Sequence, residues 1–193
     1  MEMQSNGGIH IFLPYIYKFT YEFDLDKLRP RIDAAIKDVE KNSLLEKGEA
    51  LSTVSSDEIH QPHTWMELHN FQTWLGEKLT HIKDEHDFYE RQSTVMGSWF
   101  NRHFRGGYTL EHSHNFTTWV ASCYVLCPPN TGNIEFKDPL EYHKTTFPIV
   151  NEMNYTSVQV QTNDVLIFPG WLKHRVQPNE TDQERIVMTF NIK

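Results

Sequence analysis

Glu184-Arg185-Ile186-Val187-Met188-Thr189-Phe190-Asn191 is the run on which the fold reading turns. In a strand, alternate side chains point to opposite faces. Ile186, Met188 and Phe190 then form one wholly apolar face. Arg185, Val187, Thr189 and Asn191 share the other, which carries an Arg, a Thr and an Asn. A strand with a greasy back and a polar front suits a sheet that packs on one side and lines a cavity on the other. A charge inside so apolar a run needs a partner if buried. The planar guanidinium is suited to holding a carboxylate through two hydrogen bonds. The competing reading is a structural ion pair of Arg185 with Glu184, Asp182 or another acid.

Working outward, short β-type runs alternate with turn signals from Ser93 onward, at 95–104, 107–114, 117–127, 132–137, 145–150, 155–161, 164–168, 173–177 and 184–192. That density predicts a β-sandwich or barrel. Upstream, Ile9 to Tyr17 reads as an edge strand because Pro14 interrupts it. Leu25, Leu28, Ile32, Ile36 and Val39 recur at helical spacing. Pro30 is tolerable in a first turn and biases Arg29 away from helix, so the regular helix is expected to begin near Pro30, after a turn over Asp24 to Leu28. Residues 43–63 read as polar and turn-rich. Thr64-Trp65-Met66-Glu67 has the form of a capping box opening a second helix. Leu68, Phe71, Leu75, Leu79 and Ile82 are its buried stripe. The expected organisation is a single domain, 1–193. Residues 1–92 supply an N-terminal strand and supporting helices. Residues 93–193 form the β core.

Composition sets outer limits. The chain has 193 residues, enough for one sizeable core, with 5 Trp, 12 Phe and 8 Tyr to fill it. The formal net charge is -8 with no Lys/Arg block, so a nucleic-acid partner is not expected. No stretch approaches the roughly 20 apolar residues of a membrane span, and Met1 to Gly8 is unlike a signal peptide. A cytoplasmic location is expected, and a homodimer is compatible. Cys123 and Cys127 lie four apart in an expected strand. They would share a face about 13 Å apart, too far for a disulfide. Three Asn-x-Thr sequons, from Asn115, Asn154 and Asn179, read as coincidence without a secretory signal.

Of the 11 His, most need no function. His81 and His86, five apart on a helix, point to different faces and read as solvated. His10, His60, His63, His69, His103 and His143 are left unassigned. His112 and His114 are two apart, so both imidazoles project from one face and can meet one ion. A pair of half-buried strand histidines would look the same. His174 follows the strand-and-turn Asp164-Val165-Leu166-Ile167-Phe168-Pro169-Gly170, and Arg185 comes eleven residues later.

The chain resembles the iron(II)- and 2-oxoglutarate-dependent oxygenases, and more closely a prolyl-hydroxylase-like subgroup found in bacteria and marine phages. The similar stretches begin at Trp99-Phe100-Asn101 and Gly107 to His114. They continue through Ala121 to Leu126, Gly132 to Pro139, Phe168 to His174 and Glu184 to Asn191. The resemblance implies a double-stranded β-helix, a cupin-like jelly roll with N-terminal helices. It implies metal ligation by His112 and His174, with His114 where most of the superfamily has Asp or Glu. His114 either ligates or stands aside for water or an acid such as Asp138. Three neutral imidazoles leave iron(II) at its full charge, so such a site leans on the co-substrate for neutralisation. The resemblance further implies Arg185 on the distal carboxylate of 2-oxoglutarate, assisted by Tyr124 or Thr189, with Asn101 orienting a His or the co-substrate. Trp171 is expected to wall the cavity, and 43–63 or 138–155 to form a lid. The implied reaction consumes O2 and 2-oxoglutarate, yields succinate and carbon dioxide, and hydroxylates an unactivated C–H bond of a small molecule or a peptidyl residue such as proline.

Two other readings compete. In a cupin-type three-His dioxygenase, Gly106, His112-x-His114, Pro169 and His174 would carry the motifs, with no use of 2-oxoglutarate. The Glu of the first cupin motif is missing from Phe116-Thr117-Thr118-Trp119-Val120. The other is a non-catalytic β-barrel binding protein with a degenerate site.

Overall fold

The computed structural model describes residues 15–42, 51–54, 57–86, 92–139 and 154–193. Ten strands and two helices are built from them: β1 (Tyr17–Thr20), α1 (Leu25–Asn42), β2 (Leu51–Ser52), α2 (His69–Glu85), β3 (Val95–His103), β4 (Thr109–His112), β5 (Trp119–Leu126), β6 (Ile134–Lys137), β7 (Tyr155–Val158), β8 (Asp164–Pro169), β9 (His174–Val176) and β10 (Arg185–Ile192). All described strand pairs are antiparallel. A six-stranded sheet runs β1-β8-β5-β10-β3-β2 and a four-stranded sheet runs β4-β9-β6-β7. Two antiparallel sheets of this kind are the jelly roll expected from the sequence.

The alternation in β10 decides the layering. Ile186, Met188 and Phe190 join Leu28, Ile32, Phe71, Leu75 and Ile82 in one apolar cluster, which fastens both helices to the outer face of the large sheet. Val187 joins Tyr124, Ile134, Phe136, Leu166 and Phe168 in a second cluster between the sheets. β5 and β8 are buried on both faces, which explains their unbroken apolar runs.

Several local expectations shift. The described part of the first strand begins at Tyr17, and positions 9–14 lie outside the described residues, as does the run 145–150. α1 starts at Leu25, five residues before Pro30. Leu28 N–H already donates to Asp24 O at 3.1 Å, so the turn read ahead of the proline is helical. Burial of Leu28 and Ile32 outweighs the one hydrogen bond that Pro30 cannot make. The capping box does not form. Thr64 ends a short 3-10 turn, its hydroxyl donates back to Gln61 O at 2.9 Å, and Glu67 turns away to pair with Arg31. α2 instead begins at His69, behind three such turns between Glu58 and Leu68. The stripe Leu68, Phe71, Leu75, Leu79 and Ile82 is buried as expected. His86 is engaged by Tyr17.

Cys123 and Cys127 are free and buried. They do not share a face. Val187 opposes Tyr124 but Ile186 opposes Leu126, so β5 carries an extra residue at Val125. That bulge turns Cys127 into the inter-sheet cluster while Cys123 stays on the helix side. Asn179, of the third sequon, is buried and donates to His103 O and Gln183 O, so it is a structural amide. Among the described residues no helix is long and apolar enough to cross a membrane.

Candidate metal centre

His112 is the last residue of β4 and stands directly across from His174, the first residue of β9. His114 lies just past the end of β4. Its N–H donates to Gly170 O at 2.8 Å, and Gly170 N–H donates to Thr118 O at 3.0 Å. The close approach requires glycine, since a Cβ at Gly170 would lie 2.3 Å from Thr117 O. The turn after β8 thus presses His114 into place beside His174. Their rings are nearly parallel, at 4°, with centroids 5.2 Å apart. The His112 ring lies 5.1 Å from His114 and 4.3 Å from His174. One nitrogen from each converges, all within 4.8 Å of one another.

The outer nitrogens show what the inner ones are for. His112 Nδ1 faces Leu110 O at 2.8 Å, His114 Nδ1 faces Asn191 Oδ1 at 2.7 Å, and His174 Nδ1 faces Leu172 O at 2.9 Å. Each Nδ1 meets an oxygen acceptor and so carries the ring proton, with the Asn191 amide oriented to suit. Each Nε2 is left with its lone pair. His114 Nε2 and His174 Nε2 are 3.4 Å apart, so two lone pairs confront each other. A cation between them resolves that repulsion. Two nitrogens each about 2.1 Å from a shared ion stand about 3 to 3.4 Å apart. Burial first, and then the electrostatic influence of the adjacent His112 imidazole, hold His174 down at about 3 and His114 at about 4. Both are therefore neutral, as ligation requires. Among the described residues no carboxylate joins the cluster. Asp138 lies in a separate cleft beside Trp171.

A cavity of about 40 Å³ runs inward from the three histidines to Arg185, past Asn101, Tyr124 and Thr189. It shares Trp99, Asn101, Thr109 and His112 with an outer cleft of about 300 Å³. Arg185 is fully buried. Nη1 donates to Gly132 O at 2.6 Å, while Nε and Nη2 have no partner. The acids that could have made it a structural ion pair are engaged elsewhere. Glu184 binds Arg29 and Arg102, and Asp182 binds Arg105. Burial lowers the Arg185 pKa from its ordinary value, the mark of a cation without an anion.

The structure thus brings together seven of the residues singled out in the sequence, His112, His114, His174, Arg185, Tyr124, Asn101 and Thr189, but not Asp138 or Trp171. It adds Asn191, whose carbonyl fixes His114. The signal was its shared face with Arg185. Trp171 does not wall this cavity: it is 57 % exposed, outside the mouth. The indole stacked on His114 is that of Trp99, at 5.7 Å. Trp99 projects inward from β3, whereas Trp171 sits on the turn ahead of β9.

The fold and site together define a double-stranded β-helix with a three-histidine centre, two of its histidines buried, facing an unneutralised arginine. Residues 97–191 match the family described as "Putative 2OG-Fe(II) oxygenase", a span that holds every residue of the centre. The donor set fits iron(II), and the unneutralised Arg185 fits a dependence on 2-oxoglutarate. No curated protein matches the chain. Among solved structures, HygX from Streptomyces hygroscopicus with nickel and 2-oxoglutarate bound is 12 % identical, with a TM-score of 0.55 over 92 % of this chain and 81 % of that one. The non-heme alpha ketoglutarate dependent epimerase SnoN from nogalamycin biosynthesis is 13 % identical, with a TM-score of 0.58 over 92 % and 77 %. The nickel complex of the non-heme monooxygenase ThoJ is 8 % identical, with a TM-score of 0.60 over 92 % and 72 %. At these identities the likeness is one of fold.

Proposed function

We propose that the protein is an iron(II)- and 2-oxoglutarate-dependent dioxygenase of the cytoplasm that hydroxylates an unactivated C–H bond of a small molecule or a peptidyl residue. The observation that carries the reading is the pairing of two complementary deficits in one cavity. Three imidazole nitrogens converge on one point, and one buried guanidinium holds two N–H groups that no protein acceptor meets. A divalent metal chelated by a dicarboxylate answers both.

His112, His114 and His174 would hold the metal through Nε2, leaving the remaining positions to co-substrate and oxygen. With iron(II), 2-oxoglutarate and O2 bound, the centre supplies oxidative decarboxylation coupled to C–H oxidation. Leu110 O, Asn191 Oδ1 and Leu172 O keep each imidazole in the ligating tautomer. Arg185 would bind the distal carboxylate through Nε and Nη2, with Tyr124 and Thr189 beside it. Burial pushes the Tyr124 phenol up, so it stays protonated and can donate. The outer cleft, bordered by Val54, Tyr108 and Leu110, offers the substrate its approach to His112. A cavity of about 40 Å³ has room for only about three waters, so its lining must part for a diacid.

The absence of a carboxylate from the described donor cluster favours one alternative, a cupin-type three-histidine oxygenase. That reading leaves the buried Arg185 without a task. Anaerobic titration of metal-free protein with iron(II) and then 2-oxoglutarate separates the two. A visible metal-to-ligand charge-transfer band on adding 2-oxoglutarate is expected. Iron binding with no band favours the cupin-type reading, and no iron binding at all removes both.

A further inference from the structure

Arg185 is not alone in lacking partners. His103 Nδ1 is buried and without one. His103 and Arg185 stand directly opposite each other across β3 and β10, and both line the inner end of the cavity. His103 is 1 % exposed. Its Nε2 is 2.9 Å from Thr109 Oγ1. The unpartnered nitrogens of His103 and Arg185 therefore belong to one stretch of cavity lining.

We propose that His103 is a third donor to the carboxylate that Arg185 grips. This inference rests on the dicarboxylate reading above. In it, the Thr109 hydroxyl donates to Nε2 and fixes the proton on Nδ1, which points into the cavity. Three N–H groups then converge on one anion: Arg185 Nε, Arg185 Nη2 and His103 Nδ1. The imidazole stays neutral, because burial and then the Arg185 charge hold its pKa well below the ordinary value. The receptor thus carries a single positive charge, matched to one carboxylate, and needs no second cation. Thr109 is a positioning residue. It lies on β4, three residues before His112, so one strand carries both a metal ligand and the prop of the anion site.

The test uses protein loaded with zinc(II), which is redox-silent and diamagnetic. Calorimetry gives affinities for 2-oxoglutarate and for pyruvate, a 2-oxo acid without the distal carboxylate. His103→Leu is expected to weaken 2-oxoglutarate by about 10- to 100-fold while leaving pyruvate and zinc binding unchanged. His103→Gln, which keeps an N–H donor, should recover most of the loss. Nitrogen-15 NMR of the wild type should show a His103 Nδ1 proton that shifts on adding 2-oxoglutarate. That readout decides the matter even if His103→Leu fails to fold. Equal losses for 2-oxoglutarate and pyruvate, or a His103 protonated at Nε2 and indifferent to 2-oxoglutarate, overturn the proposal. If the wild type binds no 2-oxoglutarate, the dicarboxylate reading itself falls. If it binds and Arg185→Met abolishes binding while His103→Leu does not weaken it, only the His103 proposal falls.

Discussion

Replacing Arg185 with Met separates a structural arginine from a receptor. The two roles predict opposite changes in the ligand-free protein. Arg185 is fully buried, faces no acid, and leaves two donors unsatisfied. A well-packed apolar side chain in place of a buried ionic group is often neutral or stabilising by about 1–4 kcal/mol. Against that stands the Arg185 bond to Gly132 O, worth about 1 kcal/mol. The net expectation is a change of about 0 to +3 kcal/mol. At about 2–4 °C per kcal/mol for a chain of this size, the melting temperature should hold or rise by up to about 10 °C. Binding should collapse. Two hydrogen bonds to a charged acceptor at about 1.5–3 kcal/mol each give about 3–6 kcal/mol. That is a loss of about 10²- to 10⁴-fold in 2-oxoglutarate affinity. Differential scanning calorimetry of the metal-free variant and titration of its metal-loaded form read the two numbers. A variant that melts ten degrees lower yet binds 2-oxoglutarate as the wild type does would refute the argument.

The metal centre gives further expectations. His174→Ala should abolish iron(II) binding in a chelator competition, and His114→Ala should do the same if all three imidazoles ligate; wild-type affinity in the latter would make His114 a bystander. Asn191→Leu removes the carbonyl that holds the His114 proton at Nδ1 and should weaken metal binding by about 10- to 100-fold, whereas an unchanged affinity would mean that packing on Trp99 alone orients the ring. Gly170→Ala sets a methyl against Thr117 O and should cost about 1–3 kcal/mol in a denaturant titration while also loosening the metal; full stability would show that the 115–118 loop gives way freely. His174 and His114 are held at about 3 and about 4 in the fold against 6.5 in the free side chain. As pH falls below about 6.5 the unfolded chain takes up protons first, so metal-free stability should drop by about 2 kcal/mol per histidine at about pH 5. A flat profile between about pH 7 and pH 5 would contradict their burial in the neutral form.

What the sequence disclosed follows from the range of each physical signal. Alternation within a strand is local, so the two faces of β10 were legible in Arg185 to Asn191 alone. The apolar stripe of α2 was legible for the same reason. The start of α1 was not, because Pro30 is a local signal overruled by burial of Leu28 and Ile32 in a cluster whose other members come from distant parts of the chain. The Thr64 capping box failed similarly: the hydroxyl found a nearer acceptor in its own turn. The structure does bring His112 and His114 together, although only His112 lies on the strand whose pleat suggested it. The fastening of His114 to Gly170 completes the pairing.

Asn191 was legible as a residue of the polar face, but its task, like that of His103, depends on register and tertiary placement, which no local pattern carries. Arg185 stands opposite His103, Val187 opposite Asn101 and Thr189 opposite Trp99. A slip of one residue would set Arg185 against Arg102, whose side chain points outward to Glu184 and Asp33. The faces of β10 would then be exchanged, burying its polar side against the helices and turning Phe190 into the cavity. The cluster on the back of the sheet forbids this, since Ile186, Met188 and Phe190 must meet α2. The apolar back of β10 therefore fixes the chemistry of its front. Its packing against the helices selects the register that sets a guanidinium beside an imidazole, and Asn191 beneath His114, in one closed space.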